Sequence, residues 1–301
     1  MFNRLRNTWR PACFHFAQRL RRPADVFEGW YFKIVDAIGK RPMAVIPGVF
    51  LGRDRHAFIQ VLDGNAALSH YHRFDLKEFR AAPDRFDIRI GSNRFRTAGM
   101  TLDLNAEGSE PLSQVRGEVQ FEPWIPWPVT MTRPGAMGPY AFAPFMQCYH
   151  AILGLDHGLE GQVEVDGVLV DFDGGCGYVE KDWGKGFPEA YTWVQSNHFD
   201  RAGVCVTASV ATIPWLTGSF RGFLAGFLLE GTLHQFTTYN NSAIDDLLIT
   251  DRHLHLVFHN RTHRLAIEAQ KKGGALLHAP YDQVMLKRVA ETMTSTVSVR
   301  L

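Results

Sequence analysis

The sequence contains only four cysteines, and no two of them are close enough in the chain to form a C-x-x-C pair. They lie far apart, at Cys13, Cys148, Cys176 and Cys205. Disulfide-dense secreted domains carry many more cysteines, and structural zinc sites need ligands at short, regular spacing. The scarcity therefore argues against both classes and predicts reduced thiols in a cytoplasmic protein.

An excess of charge of one sign is also lacking, since 32 basic residues balance 31 acidic ones. Such a chain has no general attraction to nucleic acid, so no nucleic-acid partner is expected. The exception is the start, where six arginines precede the first acidic residue, Asp25. We expect residues 1–24 to pack on the fold as a basic leader rather than to be cleaved as a targeting peptide. Peripheral membrane contact stays open as an alternative.

The sequence motifs of several large enzyme classes are missing. The chain has no phosphate-binding loop, no G-x-S-x-G, no H-E-x-x-H and no G-x-G-x-x-G after a strand. Two histidine pairs at i, i+2 spacing, His70 with His72 and His253 with His255, have the spacing to offer two metal ligands on one strand face. No carboxylate or thiolate joins them at ligand spacing, so we predict neither a metal nor a cofactor.

Two long stretches contain no Asp, Glu, Lys or Arg: residues 134–155 and residues 202–220. Each is long enough to cross a bilayer, but prolines and polar residues interrupt both, so neither is a credible membrane-spanning helix. We interpret them instead as strands that line an apolar cavity for a hydrophobic small molecule.

What the sequence has in abundance is alternation of apolar and polar residues with a period of two, which is typical of β-strands. The clearest hairpin lies at residues 163–172, around the turn dipeptide Asp166-Gly167. Further hairpins are predicted for residues 191–210, 223–239 and 254–269, and short helices only near 13–20 and 243–248. The predicted fold is all-β, with two antiparallel barrel or sandwich domains at 25–133 and 134–301, joined through the proline-rich residues 122–144.

The densest group of polar and aromatic residues is Y-V-E-K-D-W-G-K-G-F-P at 178–188, followed by a second run at 191–199. If residues 178–182 are extended, Tyr178, Glu180 and Asp182 point to one side of the sheet. Trp193, Gln195 and Asn197 share a face in the second run. Bringing such groups together costs desolvation unless a ligand uses them. The alternative is a turn with an exposed Glu-Lys-Asp ion cluster and core tryptophans.

These segments, together with F-E-G-W-Y-F-K at 27–33, resemble the tocopherol cyclase family. Shorter matches at 128–135, 144–148, 193–199 and 277–280 follow the family's order. The resemblance implies a lipocalin-like protein with two antiparallel β-barrel-like domains. It also implies a prenylated hydroquinone as the ligand class, since plant and cyanobacterial members close the chromanol ring of tocopherols. The chain departs from the plant pattern at Asp182 and at residues 145–146 and 189–191, and we expect a bacterial-type member.

Ring closure of this kind needs a proton for a trisubstituted alkene and a phenol oxygen that captures the resulting tertiary cation. Related prenyl hydratases of the superfamily carry an acid at the matching place in a Y-x-acid-x-x-W-G run, which implies Glu180 as the proton donor. An apolar cavity would keep its carboxyl group neutral. Tyr178 and Asp182 are expected to assist, and Glu28 is the reserve acid.

The remaining residues of the predicted site bind the substrate. They are Trp30, Trp183, Trp193, Phe145, Gln195 and Asn197. The rings of Trp183 and Trp193 are expected to stabilise the cation through their faces, and the amides of Gln195 and Asn197 to orient the hydroquinone hydroxyls. Two alternatives stay open at this point. One is a non-catalytic carrier of an isoprenoid or another lipid, and the other is hydration of an alkene, or a different cyclisation, at the same site.

Overall fold

A computed structural model describes residues 7–21, 24–105, 113–144, 146–215 and 217–301. Besides β-strands, those ranges contain a helical turn at residues 7–8 and three short 3₁₀ helices, at Ala17–Arg19, Leu76–Glu78 and Gly138–Phe142. Every pairing between strands is antiparallel. The predicted all-β, antiparallel class is therefore confirmed.

The strands are numbered in chain order. The first twelve are β1 (Phe27–Val35), β2 (Met43–Phe50), β3 (His56–Asp63), β4 (Leu68–Phe74), β5 (Phe79–Ala81), β6 (Asp87–Ile90), β7 (Asn93–Arg96), β8 (Gly99–Leu104), β9 (Val115–Phe121), β10 (Cys148–Val165), β11 (Val168–Asp171) and β12 (Gly175–Gly184). The others are β13 (Tyr191–Ser196), β14 (Cys205–Trp215), β15 (Gly218–Leu229), β16 (Thr232–Thr237), β17 (Ala243–Ile249), β18 (His253–His259), β19 (Arg264–Gln270), β20 (Ala275–Tyr281), β21 (Val284–Glu291) and β22 (Thr296–Arg300).

The first twelve strands form one large sheet. Their order from edge to edge is β4, β3, β2, β1, β12, β10, β9, β8, β7, β6, β5, and β11 pairs with β10. One face of this sheet covers an apolar core built from residues such as Trp30, Phe32, Phe95, Val119 and Leu153. The described part of residues 1–24 packs on the same core through Phe14.

Three smaller sheets complete the fold, in the strand orders β13 to β16, β17-β18-β19-β22 and β20-β21. The first two stack face to face over a second core that includes Ala208, Phe236, Leu256 and Ile267. Within the described ranges no sheet closes into a barrel, so the chain forms stacked open sheets rather than barrels.

The large sheet draws strands from both sides of the predicted boundary between residues 133 and 134. β12 pairs with β1 and β10 pairs with β9, so the sheet is continuous across that boundary. Residues 122–144 connect its two parts without forming a strand, as far as they are described. The division into two domains stays a prediction.

The four predicted hairpins are present, but the two predicted helices are not. Residues 243–248 belong to strand β17, and of residues 13–20 only the last part enters the 3₁₀ helix Ala17–Arg19. A bulge between Ile244 and Asp246 shifts the register of β17. Because of that shift, Ile244 and Leu247 both pack on the second core, and their spacing of three imitates a helix. In the chain as described, no helix has the length and hydropathy needed to cross a bilayer.

Candidate active site

Strands β1 and β12 lie side by side near the centre of the large sheet. Successive side chains of the 27–33 and 178–188 motifs point alternately to its two faces. Tyr31 is the cross-strand partner of Glu180, and Lys33 is the partner of Tyr178. Side chains on directly opposed residues lie on the same face. Tyr31, Lys33, Glu180 and the neighbouring Asp182 line a cavity on the face opposite the first core.

This cavity has a volume of about 1060 Å³ and lies between the large sheet and the smaller sheets. Much of its wall is apolar, with Phe27, Ile46, Phe58, Met146, Phe187, Phe223, Leu277 and Val289 among its residues. Both charge-free stretches contribute to it, for example through Met137 and Ile213. The space is large enough for a drug-sized or prenylated molecule.

Glu180 is the most deeply placed acid of the cavity wall, with only 6% of its surface exposed. The Tyr178 hydroxyl donates a hydrogen bond to its Oε2 atom at 2.6 Å, and the Trp193 indole donates to the same atom at 3.1 Å. Burial raises the pKa of Glu180 to about 7, although the positive charge of His150 opposes the shift. Because Oε2 accepts both hydrogen bonds, we expect the proton of the neutral acid to be on Oε1.

His150, from β10, completes a chain of ionisable groups beside Glu180. Its Nδ1 atom lies 3.0 Å from Oδ1 of Asp182, its cross-strand partner, and its Nε2 atom lies 3.8 Å from Oε2 of Glu180. Burial alone would lower the pKa of His150, but the two carboxyl groups raise it to about 9. At neutral pH the site therefore holds an imidazolium next to an acid of pKa near 7.

A second carboxyl group, that of Glu291 at the end of β21, lines the same cavity. The Tyr31 hydroxyl donates a hydrogen bond to its Oε1 atom. Burial raises the pKa of Glu291 to about 7, and Glu180 adds to the shift. Beside it, the Lys33 ammonium group donates to Oε1 of Gln195 at 2.7 Å.

Three residues of the predicted site lie on the opposite face of the sheet: Glu28, Trp30 and Trp183. Glu28 Oε1 pairs with the Lys181 ammonium group at 2.6 Å, and both side chains are fully buried. Burial would raise the pKa of Glu28, but Lys181 and hydrogen bonds from His15 outweigh it and hold the pKa below its usual value. The reserve acid is therefore ionised and points away from the cavity.

The tryptophans on that face have structural contacts. Trp30 donates a hydrogen bond to the Ala12 carbonyl at 2.9 Å, and Trp183 stacks on His15 and Tyr149. Of the other predicted ligand-binding residues, Trp193 and Gln195 line the cavity.

Asn197 lies just beyond the end of β13 and donates to Asp156 Oδ1 and to the Gly177 carbonyl, both at 2.9 Å. This side chain supports the loop after β13. Phe145 lies outside the described residues.

Among the residues that the structure describes, one group of side chains has the geometry for a metal. Ligand atoms of His150, Glu180 and Asp182 all lie within 4.8 Å of one another, which is close enough for one divalent cation. In the structure, however, the oxygens already accept hydrogen bonds: Glu180 from Tyr178 and Trp193, and Asp182 from His150. The expectation that no metal is needed stays a prediction.

Sequence reasoning missed four polar residues of the cavity: Tyr31, Lys33, His150 and Glu291. Tyr31 and Lys33 could have been found, because they alternate with Glu28 and Trp30 in the 27–33 motif and must face the other way. His150 is the only histidine in residues 134–155, which is a weak signal. Nothing in the sequence connects Glu291 with Tyr31, 260 residues earlier.

Comparison with known proteins places these features in a family context. A family model described as tocopherol cyclase-like matches residues 92–301. A probable chloroplastic tocopherol cyclase from Oryza sativa subsp. japonica is 30% identical over 171 residues, which cover 55% of this chain and 36% of that protein. A chloroplastic tocopherol cyclase from Zea mays is 29% identical over 131 residues, covering 40% and 26% of the two chains. The chain thus matches roughly a third of its curated relatives' length or less.

Solved structures share the fold. Two crystal structures of CghA superimpose with TM-scores of 0.53 and 0.51, cover 83% of this chain and 76% of CghA, and have 10% sequence identity. At that identity the likeness concerns the fold alone.

Proposed function

The chain belongs to the tocopherol cyclase-like family, and on that premise we propose that it catalyses acid-promoted ring closure of a prenylated hydroquinone to a chromanol. The observation that carries the proposal is Glu180. This carboxyl group faces a largely apolar cavity of about 1060 Å³, and its pKa of about 7 keeps a large fraction protonated at neutral pH. Acids tuned in this way are able to donate protons that a solvent-exposed glutamate would already have lost.

In the proposed reaction Glu180 protonates the alkene carbon of the prenyl chain nearest the ring, which leaves a tertiary cation on the adjacent carbon. The neighbouring phenol oxygen captures that cation, and the phenol loses its proton, so the product is an isomer of the substrate. Trp193 and Tyr31 lie edge to face, 5.6 Å apart, next to Glu180. In this proposal their rings stabilise the cation.

The apolar wall has two tasks in this scheme. It holds the prenyl chain, and it limits the water that would otherwise capture the cation as a tertiary alcohol. We propose that the protein works in the cytoplasm. Because such a ligand partitions into membranes, we also propose that the protein contacts a membrane surface when it takes up substrate.

Purified protein incubated with a prenylated hydroquinone tests the proposal, with chromanol detected by mass and chiral chromatography. We expect one enantiomer of the product from the native protein and none from heat-denatured protein. Saturable binding of the hydroquinone without product would overturn the proposal in favour of a lipid carrier. Formation of a tertiary alcohol would replace cyclisation with hydration.

The His150 charge gives a prediction about pH. The imidazolium lowers the pKa of Glu180, so the variant His150→Gln should raise it. A donor with a higher pKa stays protonated to higher pH, and we expect the descending limb of the pH–rate profile to move upward by about one unit. Rates measured from about pH 5 to pH 9 would show this. A limb that stays in place, or moves to lower pH, contradicts the assigned roles.

A further inference from the structure

The cavity contains a second carboxyl group, half-buried, whose position the acid step leaves unexplained. Glu291 ends strand β21 in the two-stranded sheet, whereas Glu180 lies in the middle of the large sheet. The two acids therefore reach the same cavity from different layers of the fold. Removing a carboxyl group from water is costly unless it is hydrogen-bonded or used.

Tyr31 connects the two acids. Its backbone pairs with Glu180 across β1 and β12, and its hydroxyl donates to Oε1 of Glu291. Since Tyr31 occupies Oε1, the Oε2 atom of Glu291 is the one that a ligand in the cavity can approach. Trp193, which packs against the Tyr31 ring, donates to Glu180. Two aromatic residues in contact with each other, Tyr31 and Trp193, thus each hold one of the two carboxyl groups.

Resting on the proposed function, we propose that Glu291 is the base of the ring closure, whose carboxylate accepts the proton of the attacking phenol hydroxyl. The ligand class that this geometry recognises is a phenol with a free hydroxyl next to its prenyl substituent.

The proton balance of the cycle then closes within the cavity. Glu180 breaks its O–H bond and forms a C–H bond on the alkene, while the phenol O–H breaks and a C–O bond forms to the cation. Glu291 takes the phenol proton, and one proton must return from Glu291 to Glu180 before the next turnover. No oxidant, reductant or water is consumed.

The groups that face Glu291 set the pH range of this step. They are Tyr31 and Lys33 on β1, Glu180 on β12 and Tyr191 on β13, while Arg288 of β21 lines the same cavity. Burial and Glu180 raise the pKa of Glu291 to about 7, while Tyr31 and Lys33 oppose the shift. Activity needs Glu180 protonated and Glu291 ionised, so the pH–rate profile should be a narrow bell with its maximum near pH 7.

Binding of two probes to the native protein and to a Glu291 variant tests the contact between Glu291 and the phenol hydroxyl without turnover. The probes are a hydroquinone with a fully saturated side chain, which cannot cyclise, and its methyl ether at the hydroxyl next to that chain. At about pH 8, where Glu291 is ionised, the variant Glu291→Gln should bind the free hydroquinone about tenfold more weakly than the native protein. The ether should bind both proteins equally. Equal weakening of both probes, or of neither, would overturn the inference.

Kinetics supply the second readout. We expect Glu291→Gln to lose the ascending limb of the bell and to react about 10²-fold more slowly. Tyr31→Phe removes a hydrogen bond that lowers the pKa of Glu291, so its ascending limb should move to higher pH. Glu164→Gln, an exposed site on β10, is the matched control and should behave as the native protein.

Two outcomes separate this inference from the proposed function. If native protein forms chromanol and Glu291→Gln keeps both the rate and the ascending limb, the assignment of the base is wrong and the cyclase proposal stands. If native protein forms no chromanol, both are wrong.

Discussion

Replacing Glu180 by glutamine is expected to lower the rate of ring closure by roughly 10³-fold while leaving the affinity for the hydroquinone nearly unchanged. Glutamine has the size of the neutral acid, and its carbonyl oxygen can still accept the hydrogen bonds from Tyr178 and Trp193. It has no proton to give to an alkene. Single-turnover rates and equilibrium binding, both measured near pH 7 where the native rate is expected to be highest, separate the two effects.

The control for this change is again Glu164→Gln, which removes a carboxyl group from an exposed position on the same sheet. A Glu180→Gln protein with native activity would show that another group donates the proton. A protein that loses binding together with activity would show that Glu180 shapes the cavity rather than reacting with the ligand.

The second large effect concerns stability. Replacing Lys181 by methionine is expected to lower the free energy of unfolding by about 3–5 kcal/mol, because it leaves a buried carboxylate without its partner. Lys181 pairs with Glu28 at 2.6 Å and donates to the carbonyl oxygens of Pro11 and Cys13 at 2.9 and 2.7 Å. The ammonium group thus links the N-terminal segment to the back of β1 and β12. Urea unfolding followed by tryptophan fluorescence measures the change.

A double variant shows whether the ion pair is the cause. Adding Glu28→Gln to Lys181→Met removes the unpaired charge and should recover part of the lost stability, since the two effects are not additive. The exposed Lys185→Met is the control and should leave the free energy of unfolding nearly unchanged. A Lys181→Met protein as stable as the control would contradict the anchoring role of the pair.

The strands could be predicted from sequence where the alternation was regular and the turn residues were diagnostic. The hairpin of β10 and β11 turns at Asp166-Gly167, where both residues have positive φ angles, as the dipeptide indicated. β17 was mistaken for a helix because a bulge changes the spacing of its apolar residues, and such a bulge depends on the partner strand β18. The family resemblance implied barrel-like domains, whereas the described sheets stay open, since sheet closure depends on contacts between distant strands.

Alternation of side chains along the strands predicts part of the candidate site. Tyr178, Glu180 and Asp182 were correctly placed on one strand, and the same rule puts Trp183 on the other face, against the first core. Choosing the residues of the 27–33 motif by chemical type favoured Glu28 and Trp30, although alternation favours Tyr31 and Lys33 for the cavity. Aromatic and acidic character did not distinguish a cavity wall from a buried ion pair.

Two of the ionisable groups could not be inferred, because tertiary contacts bring them in. His150 is next to Glu180 only through the pairing of β10 with β12, and Glu291 only through the packing of the sheet of β20 and β21 over the cavity. Their raised pKa values also depend on burial, which a sequence does not specify.

The central claim is that the protein delivers a proton to a carbon atom of its ligand, and ring closure in D₂O tests it most directly. The account predicts a chromanol of one hand that carries a single non-exchangeable deuterium, at the carbon that was protonated, in native protein but not in Glu180→Gln. A chromanol without deuterium at carbon, or unchanged hydroquinone recovered from a saturated complex, would contradict it.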